Sequence, residues 1–231
     1  MKKIGLVGGT GPESTLMYYK ELNTRIDKMT NGAAMPDIAI ESVNFRKAWR
    51  FVTNGQLSEL TDYLSEKVEC LKAGGADIIA LTAGTMHMVY DRIVQKTNAS
   101  LISIPKVICD EVAAKGIKSV GLLGTAFTME QDYMKKDLAK AGIKVIIPGK
   151  QERDLIAKRI LEELELGIVK DGTLREFTDI IGKMKTEEGI EAVILGCTEL
   201  PLLLNNENCP VCCLDSVDIH LNKLVELAVK G

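Results

Sequence analysis

The residues best equipped for chemistry lie in Gly196-Cys197-Thr198-Glu199, where a thiol and a carboxylate stand two positions apart. They directly follow the apolar run Ala192-Val193-Ile194-Leu195, which reads as a buried strand. In open α/β sheets ligands bind beyond the carboxyl ends of strands. A thiol placed there, with an ordinary pKa of about 8.5 that a nearby helix amino terminus or cation lowers, suits proton transfer. The same spacing also fits an inert core cysteine, since free Cys is among the most buried residue types.

A second chemical segment is the loop Gly8-Gly9-Thr10-Gly11, leading to Pro12-Glu13-Ser14-Thr15. It fails the dinucleotide pattern G-x-G-x-x-G because Ser14 occupies the third glycine position, and no Gly-Lys-Ser/Thr follows to make a P-loop. Two readings remain: a helix amino terminus whose N–H groups and Ser14 and Thr15 hydroxyls seat a small carboxylate, or a tight strand-to-helix turn. Thr125 and Thr128 carry the same double reading. No G-x-S-x-G elbow supports a serine hydrolase. His87, just after Thr85-Met86, is either an acid–base group or a loop anchor, and His220 reads as structural. Arg46-Lys47 and Lys135-Lys136 read as solvated faces, although Arg46 follows a strand end and could reach an anionic ligand. Cys209-Pro210-Val211-Cys212-Cys213 offers too few ligands for zinc, with only His220 nearby, so no metal is expected. Val211–Leu214 reads instead as a short buried strand.

The elements that must position these residues follow a regular alternation. Apolar, β-branched runs at Ile4–Val7, Ile38–Val43, Ile78–Leu81, Val120–Leu123, Val145–Ile147 and Val193–Leu195 are continuous, as in parallel strands covered on both faces. Between them, Leu57–Ala73, Thr128–Ala141 and Glu152–Leu166 place apolar residues at three- and four-residue intervals. Gly74-Gly75, Gly116 and Gly142 stand where helices stop. The pattern predicts βα units around mainly parallel sheets. It also repeats: 75 residues separate Gly8 from Ala83, and 73 separate Gly124 from Cys197. We therefore expect two pseudo-symmetric α/β lobes, residues 1–104 with 211–231 and residues 105–210, with a cleft between them.

Composition narrows the partners. With 46% apolar and 26% charged residues in 231, the chain has the make-up of a globular protein. A net charge of −3 and the lack of a basic run argue against nucleic acid. No run is long enough to span a membrane, and the amino terminus has no apolar stretch of signal-peptide length. Six cysteines scattered in apolar contexts predict a reduced, cytoplasmic protein.

Val7-Gly8-Gly9-Thr10-Gly11-Pro12-Glu13-Ser14-Thr15, Ser42-Val43-Asn44-Phe45, Thr85-Met86-His87, Gly121–Thr125 with Thr128-Met129-Glu130, Gly196-Cys197-Thr198-Glu199, and Asp215 with His220 keep the order of motifs seen in aspartate/glutamate racemases. The chain resembles that family over nearly its whole length. The resemblance implies cofactor-independent chemistry on a small amino acid or dicarboxylate, commonly in a homodimer. It also implies two cysteines facing each other across the substrate Cα, one of them in a first-lobe Cys-Asn-Thr-x-His motif. Here the sequence departs. Aligned on Thr85-x-His87, Ala83 stands at the first cysteine and Gly84 at the asparagine, leaving Cys197 alone. Thr82 carries a hydroxyl, but strand alternation points it away from the side Ala83 faces.

The expectation is an aspartate/glutamate racemase, weak or one-directional, with Cys197 as acid–base and Thr82, Ala83 or water at the opposite face. By family position Thr85 and Thr198 offer N–H groups and hydroxyls to the α-carboxylate. Thr10, Gly84 and Thr125 line the cleft, and Glu199 and His87 hold the thiol and the loop. Arg46 is the first choice to anchor a side-chain carboxylate, with Lys158 the second. A single-cysteine decarboxylase of the arylmalonate type and a non-catalytic amino-acid binder are the alternatives.

Overall fold

The computed structural model describes residues 1–230. Its strands are β1 (Ile4–Gly8), β2 (Ile38–Ser42), β3 (Ile78–Leu81), β4 (Leu101–Ile102), β5 (Ser119–Leu123), β6 (Lys144–Ile146), β7 (Ala192–Leu195) and β8 (Cys212–Asp215). The helices are α1 (Pro12–Met29), α2 (Phe45–Thr53), α3 (Leu57–Ala73), α4 (Tyr90–Thr97), α5 (Ile104–Ala114), α6 (Ala126–Glu130), α7 (Lys136–Lys140), α8 (Lys150–Glu162), α9 (Asp171–Glu188) and α10 (Ser216–Val229). No described helix is long and apolar enough to cross a membrane.

Two four-stranded sheets form, ordered β2-β1-β3-β4 and β6-β5-β7-β8, every pair parallel. The order is the same in both once the second sheet is counted from its own first strand, so the internal repeat is one of topology as well as of sequence. The inner strands are buried along almost their whole length, whereas β2 and β8 are edges with exposed residues. Burial on both faces explains why β1, β3 and β7 read as continuous apolar runs. In the second unit Leu123, Val193, Leu195, Phe177, Ile156 and Leu203 belong to one core that joins β5 and β7 to the covering helices.

The chain divides into two compact units, Met1–Ser103 with His220 onward, and Ile104–Ile219. The first crossing falls between Ser103 and Ile104, against an expected boundary after residue 104, and the return begins at His220 instead of 211. The reason is β8. Its parallel register with β7, Val193 against Cys213 and Leu195 against Asp215, keeps residues 212–215 in the second sheet. Cys212 is exposed on that edge, so the strand is less buried than its composition suggested.

The segment Thr128–Ala141, expected as one helix, is broken into α6 and α7. Gln131 turns extended, and the Lys135 ammonium caps the free carbonyls of Met129 and Glu130 at 3.2 and 3.0 Å. Tyr133 and Met134 are buried in the break, which preserves the apolar spacing without a continuous helix. Helix α3 has the predicted bounds, and Gly75, Gly116 and Gly142 all take positive φ where the chain leaves a helix.

Candidate active site at the strand ends

Within each sheet the strand order reverses between two neighbouring strands, β1 and β3 in the first unit and β5 and β7 in the second. The crevice beyond such a reversal is where parallel sheets bind ligands. Both pairs of strand ends carry the residues singled out from the sequence.

In the second unit β7 runs through Gly196 into Cys197. The Gly196 N–H bonds the Leu123 carbonyl at 2.8 Å, and a Cβ on Gly196 would stand 2.9 Å from that oxygen and 3.0 Å from Thr128 Cγ2. Only glycine allows the ends of β5 and β7 to approach this closely. Thr125 caps α6, its hydroxyl accepting the Thr128 N–H at 3.2 Å, and the Thr128 hydroxyl lies 3.1 Å from Thr125 Oγ1 and 3.0 Å from the Tyr133 hydroxyl. The Cys197 thiol donates to Glu199 Oε2 at 2.8 Å while the Thr198 hydroxyl donates to Glu199 Oε1 at 2.5 Å. Glu199 is thereby fixed by two neighbours. Burial, then the Glu199 charge and the hydrogen bond to it, push the thiol well above the ordinary range, with a further push from Glu165. Glu165 is itself raised by burial and by Glu199. At rest Cys197 is a protonated thiol. Sequence reasoning missed Glu165, which lies in the 3₁₀ turn Leu164–Leu166 just after α8 and carries no local motif.

In the first unit β1 enters the glycine loop. Gly9 sits at φ +81°, and a Cβ there would meet Ser42 Oγ at 2.4 Å and the Val43 carbonyl at 2.6 Å. The loop folds on its own hydroxyls. Thr15 Oγ1 accepts the Gly9 N–H at 2.9 Å, and Ser14 Oγ donates to the Thr82 carbonyl at 2.5 Å. These two hydroxyls therefore brace the turn, in keeping with the strand-to-helix-turn reading of the two left open by the sequence. Thr10 differs. Its Oγ1 is buried and has no hydrogen-bond partner, a costly condition for a hydroxyl unless a ligand supplies one.

Thr82 is buried, with its hydroxyl donating to the Val7 carbonyl at 3.3 Å and lying 3.4 Å from Thr15 Oγ1. As alternation required, it turns back toward β1. Ala83 continues extended, and Gly84 opens a 3₁₀ turn, Gly84–Val89, with open space where its Cβ would be. His87 is buried beneath that turn, its Nδ1 3.2 Å from the Ala83 and Gly84 carbonyls. Carbonyls only accept, so Nδ1 carries the proton, and His87 anchors the loop. Arg46 is exposed in the first turn of α2, with no ion pair or hydrogen bond on its guanidinium among the described residues. Lys158 lies on the exposed face of α8, 4.0 Å from Glu162. Among the described residues no group of three His, Cys, Asp or Glu side chains converges as metal ligands would.

A family model described as Asp/Glu/Hydantoin racemase matches residues 7–224. The chain belongs to the Asp/Glu/hydantoin racemase family. Two solved structures covering 99% of this racemase-family chain and 100% of their own length agree with its fold. One is a candidate Asp/Glu racemase from Yersinia pestis, 33% identical with a TM-score of 0.94. The other is an aspartate racemase homologue from Pyrococcus horikoshii OT3, 36% identical with a TM-score of 0.89. The aspartate racemase of Picrophilus torridus, 18% identical with a TM-score of 0.74 over 98% of this chain and 94% of its own, shares the fold. In this chain β7 runs through Gly196 into Cys197, and Ala83 follows Thr82 after the end of β3.

Proposed function

We propose that this protein is a cofactor-independent amino-acid racemase acting on aspartate or glutamate, with Cys197 as its acid–base group. The observation that carries the reading is the Cys197 thiol at a strand end, bonded to Glu199 at 2.8 Å. The unpartnered hydroxyl of Thr10 supports it by offering a donor to an anionic ligand.

In this mechanism the Cα–H bond breaks and its electron pair passes into the α-carboxylate, giving an enediolate. The N–H groups of Thr85 and Thr198 and the hydroxyls of Thr85, Thr10 and Thr125 hold that charge, each well-aimed donor contributing about 3–4 kcal/mol. Arg46 anchors the side-chain carboxylate. Reprotonation of the carbanion moves the Cys197 proton from sulfur to Cα and leaves a thiolate. The reverse step needs that thiolate, which forms when the thiol proton passes to Glu199. Since burial and Glu199 both favour the thiol, Cys197 rests with its proton in place and the thiolate needed as a base is scarce. With Thr82 turned to β1 and Ala83 without a proton, water serves the other face. Turnover is accordingly slow in both directions.

The raised thiol also favours a second reading, a decarboxylase of the same superfamily. There, loss of CO₂ makes the enediolate and Cys197 needs only to deliver a proton. One experiment separates them. The protein is incubated in D₂O with L- and D-aspartate and L- and D-glutamate, and Cα–H loss is followed by NMR beside a Cys197→Ser control. Exchange that disappears in the control supports the racemase. No exchange from any of the four, with CO₂ released from a substituted malonate, replaces it with the decarboxylase.

A further inference from the structure

The cysteines outside the strand-end cluster are not equivalent. Asn205 folds the end of the β7–β8 connection on itself, its side-chain oxygen accepting the N–H groups of Glu207 and Asn208 at 2.8 and 3.2 Å. Its backbone carbonyl takes two further donors, the Cys209 N–H at 3.1 Å and the Cys213 thiol at 3.6 Å. Cys213 is fixed from the other side by its own N–H, which donates to Asn206 Oδ1 at 2.8 Å. The Asn205 carbonyl thus gathers both residues, and both side chains pack half-buried against the second unit's core. Cys212 does not join them. Successive residues of a strand face opposite ways, and Cys212 is exposed with its sulfur 3.9 Å from the Cys213 carbonyl.

We propose that Cys209 and Cys213 are a modification site, a dithiol that closes to a reversible disulfide by exchange with a small disulfide of the glutathione class. Cys209 is the attacking sulfur. The neighbouring Cys213 thiol, the Val211 N–H and the Lys185 charge hold it down to about 7 against the effect of burial. The Lys185 ammonium is kept nearby by its bond to the Pro210 carbonyl at 2.8 Å. The Cys209 thiolate attacks one sulfur of the small disulfide, forming a mixed disulfide and expelling one small thiolate, which takes up the Cys213 proton. The Cys213 sulfur then attacks Cys209 Sγ and expels the second small thiolate. The sum is two protein thiols and one small disulfide giving one protein disulfide and two small thiols.

The test uses the full chain in its folded state. Oxidised glutathione is added, the reaction is quenched with acid, and remaining thiols are alkylated with iodoacetamide before digestion and mass spectrometry. Two of the six cysteines are expected to escape alkylation in a peptide lighter by two hydrogens, and dithiothreitol restores them. The bridge persists in Cys212→Ser. In Cys213→Ser the reaction stops at a glutathione adduct on Cys209, which also shows that this variant keeps its reactive thiol. A wild-type protein that accumulates glutathione adducts without a bridge overturns the proposal. So does a bridge lost in Cys212→Ser, or a Cys209 that stays fully alkylatable while the exposed Cys70 and Cys212 react.

Discussion

A thiol that donates to a carboxylate 2.8 Å away gains little by ionising, because the new charge would face an old one. Replacing Glu199 with Gln removes that opposition. The Cys197 pKa should fall, seen as iodoacetamide reaching Cys197 at lower pH. At a fixed pH below the midpoint, the thiolate population rises about tenfold for each pH unit by which the midpoint drops. Burial is the larger cause, so the midpoint should stay above the ordinary thiol value of about 8.5. A Glu199→Gln protein whose alkylation profile matches wild type would remove the carboxylate from the account. At the other strand end, Ala83→Cys restores a proton-transfer group where Ala83 offers a methyl. Racemisation of aspartate or glutamate should rise by about 10²–10⁴-fold, the usual contribution of a general acid–base group, as measured by chiral chromatography. An unchanged rate would count against the racemase reading.

At the scale of elements, the glycines at strand ends divide into those that close the structure and one that does not. Gly9→Ala must place a Cβ at φ +81° and against the Val43 carbonyl, costing about 1–3 kcal/mol in backbone strain alone. Thermal denaturation should show a midpoint several degrees lower. Gly84→Ala meets nothing within 4 Å and should stay within about 0.5 kcal/mol of wild type. Equal losses in both would contradict the packing. This contrast marks how far the sequence could be read. The β-branched runs of β1, β3, β5 and β7 announced themselves because burial on both faces leaves no polar alternation. Two-residue β4 was too short to leave a pattern. The break between α6 and α7 was hidden because buried Tyr133 and Met134 keep helical spacing through a non-helical stretch. At the site, Cys197 and Glu199 were legible because they are neighbours in sequence. Glu165, and the choice of Cys213 over Cys212 as the partner of Cys209, depend on tertiary placement and had no local sign.

At the scale of the molecule, the chain leaves the first unit once and re-enters it at a buried histidine. His220 Nε2 lies 3.1 Å from the Ile102 carbonyl and so carries the proton, while the Tyr18 hydroxyl donates to Nδ1 at 2.8 Å. Burial, and then the nearby His87, hold His220 down to about 3. An unfolded histidine titrates near 6.5, so between these values only the unfolded chain takes up the proton. Stability is complete above about pH 6.5 and falls by up to ~1.4 kcal/mol per pH unit toward about 3. Urea unfolding at pH 7 and pH 5 should show the loss, and His220→Gln should flatten that part of the profile. A variant with the wild-type slope would place the acid sensitivity elsewhere.

That re-entry has a consequence for how the protein is made. Helix α10 supplies Leu221, Leu224, Val225 and Ala228 to the buried interior, and the Ala228 carbonyl accepts the Lys2 N–H at 3.0 Å. A ribosome therefore releases every strand of the first sheet more than a hundred residues before the helix that completes its unit. The second unit, contiguous in sequence, can finish while the first still waits with an open apolar face. Nascent chains halted near residue 219 should bind a hydrophobic dye or a holdase chaperone, and chains extended through α10 should release it.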